Sequence, residues 1–94
     1  MDPSSARAHF QLSRAWQERG DEQRAIEELK AAIQIDPQHE RAHYVLGRLY
    51  QKQGNTDLAQ KELEAHRNIK EKDKQAQYQR LLITIRDPDR PAPR

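Results

Sequence analysis

Shifted against itself by 34 positions, the chain aligns Arg7 with Arg41, Ala8 with Ala42, His9 with His43, Leu12 with Leu46, Arg14 with Arg48 and Gln17 with Gln51. The register holds without a gap through Gly20/Gly54, Ala25/Ala59, Glu28/Glu62, Leu29/Leu63, Ala31/Ala65 and Ile35/Ile69, with Phe10/Tyr44 and Trp16/Tyr50 as conservative exchanges. A fixed period of this length marks a solenoid, in which a unit cannot cover its own apolar face and needs a neighbour to do so.

Within each unit the apolar spacing is helical. Ala8, Leu12, Ala15 and Trp16 share one face, and Ala25, Ile26, Leu29, Ala32 and Ile33 share a face of a second segment. Gly20-Asp21 separates the two, the Gly closing one helix in the left-handed conformation and the Asp capping the next; Gly54-Asn55 repeats this punctuation. Asp36-Pro37 ends the first unit, because Pro cannot continue a helix. The spacing predicts helices at about 5–19, 22–35, 39–53 and from 56 onward. A chain of 94 residues holds one small core. Its charge is mixed, 17 Lys and Arg against 15 Asp and Glu, so solubility does not come from repulsion. With no Cys there is no disulfide, thiol nucleophile or Cys-based zinc site. No apolar run approaches the roughly 18 residues of a membrane span, and Met1-Asp-Pro-Ser-Ser is no secretory leader. A cytoplasmic setting and no membrane partner are expected.

These residues resemble the tetratricopeptide repeat family. The first unit carries His9, Leu12-Ser13, Trp16, Ala25, Leu29, Ala32 and Pro37, and the second His43, Leu46-Gly47, Tyr50, Ala59 and Leu63, so the resemblance covers residues 6–71. It implies an all-α fold of tandem helix-turn-helix repeats, an α-solenoid fragment with a capping or extended C-terminal helix. Unit one spans 6–39, unit two 40–73, an amphipathic helix 74–86 and a disordered, proline-rich tail 87–94. Residues 1–5 look like the remnant of a preceding unit, since Asp2-Pro3 lies one period before Asp36-Pro37. The second unit has His66 in place of Ala32 and Glu71 in place of Pro37, so nothing in the sequence stops its last helix.

Past the polar run 70–75, Tyr78, Leu81, Leu82 and Ile85 recur at helical spacing and form a stripe that has to be covered. Two arrangements do so. Folded back, with Asp73 capping a new helix, the segment shields the open end of unit two, which is the expected arrangement; held straight, it packs on a second copy, making the chain a homo-oligomer, for which the bared edge of unit one offers another contact.

Several strings invite chemistry. His39-Glu40-Arg41-Ala42-His43 has the spacing of a zinc protease helix. However, its first His falls in the inter-unit turn and its second repeats His9, so it is expected to be an accident of the repeat. Arg19-Gly20-Asp21 spells an adhesion tripeptide but stands where a helix ends and the next is capped. His9 and His43 are expected to fill the seam between the helices of each unit, and His66 to stand in for a smaller residue. There is no phosphate loop and no supported catalytic triad, so neither enzyme activity nor a cofactor is expected.

The polar row of each first helix remains: Arg7, Phe10, Arg14 and Gln17, repeated as Arg41, Tyr44, Arg48 and Gln51, with Lys52 beside it. By the family resemblance these slots line a concave groove that receives an extended peptide, and Arg with flat aromatics suits an acidic partner. The resemblance also implies a clamp of Lys and Asn for acidic tails; Arg14 and Arg48 replace the Asn. The competing arrangement is a solvated face whose arginines pair with Glu18 and Glu40. No basic run interleaved with aromatics suggests nucleic acid.

Overall fold

The turns explain the architecture. In the computed structural model, which describes residues 5–86, α1 is Ala6–Glu18, α2 Glu22–Ile35, α3 Glu40–Lys52 and α4 Thr56–Arg86. The expected remnant (apart from Ser5) and the expected tail 87–94 lie outside the described residues. Gly20 and Gly54 take φ values of 82° and 80°, a region that favours glycine. The Asp21 amide donates to the Trp16 carbonyl and the Gly20 amide to the Gln17 carbonyl; Asn55 and Gly54 do the same to Tyr50 and Gln51. Both units thus turn on the same Schellman motif.

Three of the helices start on a side-chain cap. The Ala8 amide donates to Ser5 Oγ at 3.4 Å, the Arg24 amide to Asp21 Oδ1 at 3.1 Å and the Ala42 amide to His39 Nδ1 at 3.1 Å. Between the units, Asp36 Oδ1 accepts from the Gln38 amide, which bends the chain at Pro37. The helices pack in sequence, α1 on α2, α2 on α3 and α3 on α4. Ala25, Ile26, Leu29 and Ala32 of α2 join Ala42, Leu46, Leu49 and Tyr50 of α3 in one core. Among the described residues no helix is long and apolar enough to cross a membrane.

The last helix does not fold back. It runs unbroken for 31 residues, about 46 Å, along a molecule 54 Å in its longest dimension. Between Thr56 and Arg86 there is neither Gly nor Pro, and Asp73 stays inside the helix. A bend would break backbone hydrogen bonds in the run 70–75 with no apolar surface there to offset the loss. Residues 71–81 are consequently exposed along their whole length.

Candidate functional site

Two adjoining hollows, ≈ 570 and ≈ 370 Å³, lie between α1 and α3 and share Gln17, Tyr44 and Val45. Arg48, Gln51 and Lys52 close one, and Phe10, Arg14 and Arg41 the other. The fold therefore brings together eight of the nine residues that the sequence row names.

Arg7 is the exception: it is exposed and lines neither hollow. Its counterpart Arg41 works because α1 stands beside α3, whereas no earlier helix stands beside α1 among the described residues. Phe10 departs in another way. Expected on a water-facing row, it is only 8% exposed while its counterpart Tyr44 is 44% exposed. The cap of α3 makes the difference, since the His39 ring there lies 5.1 Å from Phe10. Tyr44 meets the His66 ring, also at 5.1 Å, and stays exposed. Val45 and Leu49 form an apolar floor that the row omits.

The charges are distributed unevenly. Among the described residues, no ion pair within 4.0 Å involves Arg7, Arg14, Arg41 or Arg48; the pairing with Glu18 and Glu40 that the competing arrangement requires is not formed. Glu40 instead faces His66 and Lys70, each at 3.7 Å. Lys52 Nζ is held 2.8 Å from Glu22 Oε1, so the one lysine of the row ties α3 to α2. That contact is exposed and adds little stability.

The histidines are engaged in the frame. Glu28 Oε2 accepts from His9 Nδ1 at 2.7 Å, and Glu62 Oε2 from His43 Nδ1 at 2.6 Å. The Pro37 carbonyl accepts from His43 Nε2 at 2.8 Å. Both nitrogens of His43 therefore face acceptors. With His39 capping α3, the zinc-protease string serves as a cap and a seam. Among the described residues no three His, Asp or Glu side chains converge as metal ligands. The adhesion tripeptide is likewise absorbed, Arg19 lying 5.7 Å over the Trp16 ring and Asp21 capping α2.

The profile described as Tetratricopeptide repeat matches residues 17–82, well over half of the chain. The chain belongs to the tetratricopeptide repeat family. The match takes in α2, α3 and most of α4, including part of the straight segment that the sequence resemblance leaves out. Membership makes the chain a helical module of the kind that mediates protein–protein interaction. Among curated proteins none matches it.

Proposed function

We propose that this tetratricopeptide module binds an extended acidic peptide along the hollows between α1 and α3 and carries no catalytic activity. The observation behind this is the set of Arg14, Arg41 and Arg48, without carboxylate partners among the described residues, around the exposed Tyr44 ring and the Val45 floor. Guanidinium groups pair bidentately with carboxylates, and each such charge-assisted bond contributes about 1.5–3 kcal/mol.

The double variant Arg14→Glu/Arg48→Glu should weaken binding of a fluorescent Asp/Glu-rich peptide by about 100-fold or more while leaving the circular dichroism spectrum unchanged. The affinity should also fall with rising salt. Equal affinity before and after the exchange, or a preference for a basic peptide, refutes the proposal.

A second reading, self-association, is favoured by the straight course of α4. Tyr78, Leu81 and Ile85 are 60%, 55% and 65% exposed there, with Leu82 half-buried beside them. These four residues would bury their apolar surface against another copy.

A further inference from the structure

Identical slots in the two units differ in exposure according to whether a neighbouring helix lies over them. Leu12 is 39% exposed and its counterpart Leu46 1%. Ala15 is exposed where Leu49 is buried, and Trp16 half-buried where Tyr50 is buried. In unit two the cover comes from α2, through Ala25, Ile26 and Leu29. The matching face of α1 has no such helix over it among the described residues.

A segment able to cover that face must resemble α2. In the first half of α2 the apolar residues Ala25, Ile26 and Leu29 stand at positions i, i+1 and i+4, the spacing of Leu81, Leu82 and Ile85. Laid in that register, Tyr78 takes the place of Glu22, and Glu18 of α1 takes the place of Lys52. Where the α2–α3 contact has its 2.8 Å ion pair, the substitute contact has a phenol donor facing a carboxylate, which is again complementary.

The same chain cannot make this contact, because α4 packs on α3 and α1 on α2. Another open face, beside Tyr44 and Leu63, is lined by His66, Arg67, Lys70, Glu71 and Lys74, and lacks the run of apolar side chains that Leu12, Ala15 and Trp16 provide. We infer that two copies associate reciprocally, the 78–85 segment of each α4 lying on the Leu12, Ala15, Trp16 face of the other's α1. The exchange closes a two-fold pair, so no further copies are recruited. This inference rests on the self-association reading and specifies its geometry.

Light scattering coupled to gel filtration on the full chain, at a concentration on the order of 10⁻⁴ M, should report a dimer. Leu12→Lys and Leu81→Lys should each weaken it by about tenfold or more. Ala15→Arg, at an exposed helical position, is a second probe of the α1 face should Leu12→Lys unfold.

Mixing Leu12→Lys with Leu81→Lys should restore association above either variant alone, because one contact of the mixed pair is intact. A dimer indifferent to Leu12→Lys and Ala15→Arg, with no recovery on mixing, overturns this geometry while leaving self-association standing. A strict monomer overturns both. Masses that grow beyond two copies overturn the closed pair.

Discussion

Leu12 and Leu46 occupy one slot of the repeat, so truncating each to Ala isolates the effect of a covering neighbour. Leu46 is 1% exposed and enclosed by α2 and α3 residues, so Leu46→Ala loses nearly the whole transfer term and leaves a cavity. The cost is about 3 kcal/mol. Leu12 is 39% exposed. Scaling a burial gain of about 2 kcal/mol to the part removed from water leaves about 1 kcal/mol, with no closed cavity because water reaches the site. The difference of about 2 kcal/mol corresponds to melting points about 8–16 °C apart for a domain of this size. The assay is thermal and urea unfolding followed by circular dichroism, in solution dilute enough to hold the chain monomeric. Equal losses in the two variants would refute the claim that neighbour cover sets their burial.

Other substitutions test the frame. His43→Ala strands the Glu62 carboxylate and the Pro37 carbonyl, and should cost about 2 kcal/mol in urea unfolding; His9→Ala, with a more exposed Glu partner and no carbonyl contact, should cost about half that. Equal values would show that the second acceptor contributes nothing. A Cβ at Gly47 would stand 2.8 Å from Leu63 Cγ and 3.4 Å from the Ala59 carbonyl oxygen, so Gly47→Val should push α3 from α4 and cost about 2 kcal/mol. An unchanged melting point would show that Leu63 yields freely.

The helix ends were legible because Gly20, Gly54 and Asp36-Pro37 leave the backbone little choice. So was the side-by-side placement of eight of the nine residues of the polar row, since a repeated row on equivalent helices comes together once the units stack. The burial of Phe10 was not, because periodicity is the same in both units and only stacking order decides which aromatic is covered. Val45 and Leu49 escaped because their counterparts are Gln11 and Ala15, so self-matching passes over them. The His–Glu pairs did carry a signal: both columns recur, each pair 19 residues apart. The course of α4 depends on a balance between local helix continuity and distant burial, and sequence spacing reports only the first.

Tyr44 belongs at once to the wall of the hollows and, through its 5.1 Å contact with His66, to the part of α4 that packs on α3. From His66 to Ile85 the helix extends about 28 Å, so a tilt of about 10° at its base swings the far end by about 5 Å. The protruding helix is a lever, and a small tilt where it leaves α3 is magnified at its tip.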